Sequence, residues 1–300
     1  MRLRVVDSFT RRPFTGNPAG VVLLPCGDPR SPAAPGDPRG ASVPGAPGGA
    51  YASGFPDDVL LQGIATEVNH AETAFAHPLP AGGDADWALR WFTPTTEVDL
   101  CGHATLATAH VLRAEGLLPA GGVRFATRSG TLTVRARPQD EPGSLTMDLP
   151  TAKLTEDEVP ASLRPCLGPG AAVPAYDMGA AGDALLVELP DEAAVREFVP
   201  DLAAIRATGR GLVVTARAAD PEGEYDVVSR CFFPASGIDE DPVTGSAHTG
   251  VAPYWADRLG ERLTALQASR RTGLLTLELR GDRTQVTGGA VTVLDGELLL

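Results

Sequence analysis

The chain lacks paired cysteines: Cys26, Cys101, Cys166 and Cys231 are widely and irregularly spaced, with no Cys-x-x-Cys among them. That excludes a zinc knuckle or a disulfide framework and fits a reducing compartment. Nowhere is there an uncharged apolar run of the about 18 residues needed to cross a bilayer. The opening Met1-Arg2-Leu3-Arg4-Val5-Val6-Asp7 has no long apolar core of the signal-peptide kind, so the expected location is cytoplasmic. Basic charge is also scarce. Twenty-five Lys and Arg stand against 38 Asp and Glu, a formal net charge of −13, so neither nucleic acid nor an anionic membrane is an expected partner. Several catalytic signatures are missing as well: a phosphate loop, a Gly-x-Gly-x-x-Gly after a strand, and the Gly-x-Ser-x-Gly elbow of a hydrolase. His70 with His77, and His103 with His110, are seven apart and do not match the i, i+4 pair of a metalloprotease helix. The expectation is chemistry on a small molecule without metal or bound cofactor.

What is present is a pair of glycine turns, each set before a run of small, helix-compatible residues. One is Cys101-Gly102-His103-Ala104-Thr105; the other is Asp241-Pro242-Val243-Thr244-Gly245-Ser246-Ala247-His248. A helix start carries unpaired N–H groups and partial positive charge, so two such ends suit a carboxylate or a developing anion despite the acidic whole. Around them, hydrophobic periodicity predicts strands near residues 5–6, 21–24, 72–76 and 87–92, then a helix near 57–69 and another from Gly102 to Glu115. Strands follow at 123–127, 131–136 and 145–149, helices at 191–198 and 202–207, and strands at 212–215 and 225–233. A helix over 246–259 and strands at 274–279 and 290–294 complete the reading. Residues 28–50 hold six prolines and five glycines with few large apolar side chains, too little to offset their ordering entropy, and read as a surface insertion. The expected division is an N-terminal lobe over residues 1–120 and a C-terminal lobe over 121–300, the last strand being a candidate to pack back on the first lobe.

A set of motifs in order along nearly the whole chain resembles the PhzF-type phenazine-biosynthesis isomerases. They are Asp7-Ser8-Phe9-Thr10 with Pro13-Phe14-Thr15-Gly16-Asn17-Pro18-Ala19, Glu72-Thr73-Ala74-Phe75, Phe92-Thr93-Pro94 with Glu97, Cys101-Gly102-His103-Ala104-Thr105, and Gly237-Ile238 with Glu240 to Ala247. The resemblance implies a diaminopimelate-epimerase-like α/β fold: two pseudo-symmetric lobes, each wrapping a curved mixed sheet around a central helix, with the active site in the cleft between them. It implies a homodimer and a small carboxylate-bearing substrate. It also places the proton-shuttling glutamate on Glu72, a site histidine on His103, and assisting residues on Asp241 and Ser246.

The chemistry supports that assignment. A carbon acid gives up its proton only when a base lies within hydrogen-bond reach and the anion is stabilised, and a carboxylate in a cleft can both take the proton and return it. Glu72, His103 and Asp241 are therefore the expected catalytic residues, and Gly102, Gly245 and Ser246 the expected substrate-binding ones. Cysteine-dependent racemases of the same fold use two facing thiols; here Cys101 fills the first position but the second loop carries Thr244, whose hydroxyl is too weak an acid to replace a thiol. Cys101 is accordingly read as a packing residue. Alternative readings are an amino-acid epimerase or racemase of this fold, or a catalytically silent ligand-binding homologue.

Overall fold

A computed structural model of the chain describes residues 1–25, 54–136, 143–167 and 174–300; the expected insertion at 28–50 lies outside the described residues. In chain order the first elements are β1 (Arg2–Ser8), β2 (Asn17–Leu23), α1 (Asp58–Val68), β3 (Glu72–Pro78), β4 (Trp87–Phe92), β5 (Glu97–Val98), α2 (Gly102–Ala114), β6 (Val123–Thr127), β7 (Gly130–Ala136) and β8 (Leu145–Pro150). Then come β9 (Thr155–Asp157), β10 (Ala175–Asp177), α3 (Gly179–Gly182), β11 (Ala184–Glu188), α4 (Glu192–Glu197), α5 (Leu202–Ala207), β12 (Gly211–Arg217), β13 (Val227–Phe233) and β14 (Ile238–Asp241). The chain closes with α6 (His248–Leu259), β15 (Arg262–Gln267), β16 (Gly273–Arg280), β17 (Arg283–Gly288) and β18 (Ala290–Glu297). The architecture is α/β, and contacts divide it into two compact units.

Unit 1 comprises Met1–Ser8, Pro18–Met147 and Ala290–Leu300. In it β2 and β3 run parallel, with Ala19 opposite Glu72 and Gly20 opposite Thr73, and α1 makes the crossover. Asp57 caps α1 by accepting from the Leu60 N–H at 2.8 Å, and Asn69 ends it in the left-handed conformation that asparagine tolerates better than most residues. Leu61, Ile64 and Ala65 of α1 pack on Val22, Leu24, Phe75 and Phe92. At Gly20 a Cβ would lie 2.9 Å from Thr73 Oγ1, so only glycine lets β2 and β3 close up there. The strands continue through antiparallel β3–β4, parallel β4–β6 and antiparallel β6–β7 and β7–β8 pairs. At the other side β1 pairs antiparallel with β18.

Two boundaries differ from the sequence expectation. The change of unit falls after Met147 and not at residue 121, because β6 pairs with β4 (Trp87 opposite Phe125) and so joins β6–β8 to the first unit's strands. Phe9–Asn17 belong with the later unit.

Unit 2 comprises Phe9–Asn17 and Asp148–Gly289. Parallel β11–β12 and β13–β15 pairs alternate with antiparallel β12–β13, β15–β16 and β16–β17 pairs. Its core gathers Leu185, Val187, Val195, Ile205, Leu212, Val214 and Phe232. Helix α6 buries Val251, Ala252 and Trp255, and the Trp255 indole N–H donates to Thr215 Oγ1 at 3.1 Å. This helix begins at His248, two residues later than the sequence suggests. Gly245, Ser246 and Ala247 form a tighter turn, their carbonyls accepting from the N–H groups three residues on.

Candidate active site

Strand alternation decides where Glu72 points. Phe75 belongs to the cluster on α1, so the other face of β3 carries Glu72, Ala74 and Ala76, and α2 packs against that strand. Helix α2 can be enclosed because its buried positions are mostly apolar and its buried threonine hydroxyls are satisfied within the helix. Ala104, Leu106, Ala107, Ala109, Val111 and Leu112 are buried, and the hydroxyls of Thr105 and Thr108 donate to the carbonyls of Cys101 and Ala104 one turn back. Cys101 is the N-cap residue but makes no side-chain capping bond. The Ser8 hydroxyl donates to the His103 carbonyl at 2.8 Å, tying β1 to the helix start.

This packing brings three polar side chains together. His103 Nε2 lies 3.2 Å from Glu72 Oε2. Cys101 Sγ lies 3.5 Å from Nδ1 and 4.0 Å from Nε2 of the same ring. All three residues are at most 7% exposed. His103 Nε2 is the charge partner of Glu72 Oε2. Burial disfavours the imidazolium, yet the neighbouring Cys101 sulfur and Glu72 carboxylate outweigh it and hold the His103 pKa well above its ordinary 6.5. Burial first, and then the negative charge of Glu72, push the Cys101 thiol up to about 11. The raised imidazole pKa favours the imidazolium and the raised thiol pKa the neutral thiol at neutral pH. Cys101, read from the sequence as a packing residue, lies with its sulfur beside the His103 ring.

Asp241, Gly245 and Ser246 lie in unit 2 within a second buried network. Asp241 is 7% exposed; its Oδ1 accepts from Asn17 Nδ2 at 2.8 Å, and its Oδ2 accepts a short bond from the Thr244 hydroxyl. Gln267 braces the same loop, its Nε2 donating to the Asp241 carbonyl at 2.6 Å and its Oε1 accepting from the Thr244 N–H at 2.8 Å. His248, wholly buried, donates from Nδ1 to the Thr244 carbonyl at 2.7 Å, and its Nε2 faces the Ser229 hydroxyl at 3.1 Å. Burial pushes its pKa down to about 4, which leaves the ring neutral. The fold also brings the Cys231 thiol against the Thr244 hydroxyl, through the pairing of Cys231 with Asp241 between β13 and β14. Burial raises that thiol's pKa too. Gly245 is buried and Ser246 half-buried. Asn17, Cys231, His248 and Gln267 had no assigned role in the sequence; Asn17, Cys231 and Gln267 act through partners more distant along the chain, and His248 bonds Thr244 four residues back as well as facing Ser229.

Residues 50–296 match the model of the phenazine biosynthesis-like protein family. An uncharacterized isomerase of Halalkalibacterium halodurans is 39% identical over 99% of this chain and 97% of its own length. An uncharacterized isomerase of Pseudomonas aeruginosa is 42% identical over 98% and 97%. Among solved structures, a PhzF-family phenazine biosynthesis protein of Enterococcus faecalis superposes with a TM-score of 0.79 at 33% identity, covering 100% of this chain and 99% of that one. A hydroxyproline epimerase of Agrobacterium vitis shares the fold at 13% identity, with a TM-score of 0.58 over 99% of this chain and 91% of that one. The chain belongs to the phenazine biosynthesis-like family and has the epimerase-type α/β fold.

Proposed function

We propose that this member of the phenazine biosynthesis-like family is a cofactor-independent isomerase that moves a proton on a small, carboxylate-bearing substrate, as in isomerisation of a dihydro-hydroxyanthranilate ring. The observation that carries the reading is the buried Glu72–His103 pair at 3.2 Å. Glu72 is the base. Its Oε2 takes a proton from a carbon made acidic by conjugation and returns it to another carbon of the same system, while the His103 imidazolium holds the carboxylate in place and balances its charge. The first turn of α2, at Gly102, offers backbone N–H groups to the anion that forms. Asp241, Gly245 and Ser246 complete the proposal as residues of the second unit that bind and orient substrate, Asp241 through the loop it braces.

Geometry favours one base over two within unit 1. Bases working on opposite faces of a carbon each approach to about 3–3.5 Å and so stand about 6–7 Å apart. The ligand atoms of Glu72, Cys101 and His103 all lie within 4.8 Å of one another, too close to flank a carbon. Cys101 and Glu72 therefore do not form a two-base racemising pair. Proton removal and return on one face is the chemistry this cluster suits.

The test is to incubate the purified protein with dihydro-hydroxyanthranilate and a panel of amino acids, following product and hydrogen exchange by NMR. Glu72→Gln should lower turnover by about 10²–10⁴-fold with ligand affinity nearly kept, since the amide is close to isosteric but cannot accept the proton. Wild-type turnover in that variant would sink the assignment. Deuterium uptake at an amino-acid α-carbon would favour epimerisation instead, and binding without any turnover a silent homologue.

A further inference from the structure

We propose that Glu72, Cys101 and His103 form an inhibitory binding site for a thiophilic divalent cation, Zn²⁺ or its spectroscopic stand-in Co²⁺. Sequence spacing gives no hint of it, because the fold alone brings the end of a crossover connection against a helix start. Three ligand types that zinc takes, a carboxylate oxygen, a thiol sulfur and an imidazole nitrogen, converge here with their atoms within 4.8 Å of one another.

Bond lengths of about 2.0–2.3 Å around a tetrahedral zinc place neighbouring ligand atoms about 3.3–3.7 Å apart. Here Nε2 of His103 lies 3.2 Å from Oε2 of Glu72 and 4.0 Å from Sγ of Cys101. Binding draws Cys101 and Glu72 inward, because the three ligand atoms span up to 4.8 Å before the cation enters. With three protein ligands the fourth position stays open to water or to a substrate carboxylate, as in open zinc sites. The charges also balance: a carboxylate and a thiolate neutralise the dication in a place where unbalanced charge is costly. Binding expels the thiol proton and the imidazolium proton to solvent and forms the metal–sulfur, metal–nitrogen and metal–oxygen bonds. A cation seated there occupies the same Oε2 that the proton shuttle uses, so its effect is inhibition. That a bound cation inhibits rests on the isomerase reading; that it binds does not, since the test reads the metal and not turnover.

The experiment uses the full chain, stripped with a chelator and titrated with CoCl₂. Wild type should saturate at one equivalent, with a thiolate-to-cobalt charge-transfer band and the intense visible absorption of tetrahedral cobalt, both abolished when ZnCl₂ displaces the cobalt. Cys101→Ser should lose the charge-transfer band and weaken Zn²⁺ binding by at least the about 10–100-fold that loss of an outer-shell partner costs. Cys166→Ser should keep both. Glu72→Gln should retain the band while binding more weakly, and its thermal unfolding alongside that of Cys101→Ser checks that each variant is folded. Absence of saturation at one equivalent in wild type, or an undiminished band in folded Cys101→Ser, overturns the proposal. Should the band appear while Glu72→Gln turns over normally, the isomerase reading fails and the metal site stands.

Discussion

The Glu72 carboxylate and the His103 imidazole stand 3.2 Å apart with both side chains shielded from water. Neither is well placed without the other. An isolated imidazolium at this depth would be driven to its neutral form, whereas the groups beside it favour the charged ring.

That pair has a signature on the alkaline side. The folded pKa of His103 is raised above its ordinary 6.5, so its contribution to stability is complete below about pH 6.5 and is lost as pH rises through the raised value. In His103→Asn the melting temperature should therefore fall less between neutral and alkaline pH than in wild type. Parallel alkaline limbs for the two proteins would contradict the pairing.

Cys101 should be a sluggish nucleophile despite sitting at a helix start. With its thiol pushed up to about 11, about one molecule in a thousand carries the thiolate at pH 8, against about a quarter for an ordinary cysteine. Iodoacetamide labelling followed by peptide mass spectrometry should show Cys101 reacting at least about 100-fold more slowly than a free thiol. Glu72→Gln removes the neighbouring negative charge and should speed that labelling.

His248 acts in the opposite pH range. Its folded pKa of about 4 lies below the unfolded value, so the unfolded chain takes up the proton first and stability is lost as pH falls from about 6.5 toward 4. A shift of that size corresponds to about 3 kcal/mol. His248→Gln should be less stable at pH 7 but lose less on acidification, as measured by denaturant midpoints at pH 7 and pH 5. His110, whose pKa burial also lowers to about 4, leaves part of the wild-type acid sensitivity in place.

Helix α2 should tolerate truncation poorly. Leu106 is wholly buried on it. Leu106→Ala should cost about 2–5 kcal/mol, read from the urea midpoint, with the spread set by how far the strands around α2 can collapse into the space. A loss under about 1 kcal/mol would mean that the helix is not tightly enclosed.

Much of the plan could be read from the sequence because local signals agreed with tertiary ones. Asp57 and Asn69 bracket α1 with cap chemistry, and the helical spacing of Leu61 and Ile64 matches the face it buries. Glu72 and His103 were legible as residues of one family's motifs. What stayed hidden has physical reasons. Strand β11 is the unbroken apolar run Ala-Leu-Leu-Val, buried on both faces beside parallel β12, and such a run has no period to distinguish it from a helix. In β15 the inward positions are Leu263, Ala265 and Gln267, and the last breaks the apolar alternation because its amide braces Asp241 and Thr244. The closeness of Cys101 to His103 depends on the unwound backbone of the N-cap residue, which residue spacing does not encode.

The antiparallel pairing of β1 with β18 also bears on biosynthesis. Residues 148–289, which hold nearly all of unit 2, leave the ribosome before residues 290–297 do. Until those arrive, β1 offers a row of unsatisfied amide and carbonyl groups on the nascent polypeptide, an open invitation to wrong partners. The half that is translated first is thus the one that finishes last, and holdase chaperones would find their work there.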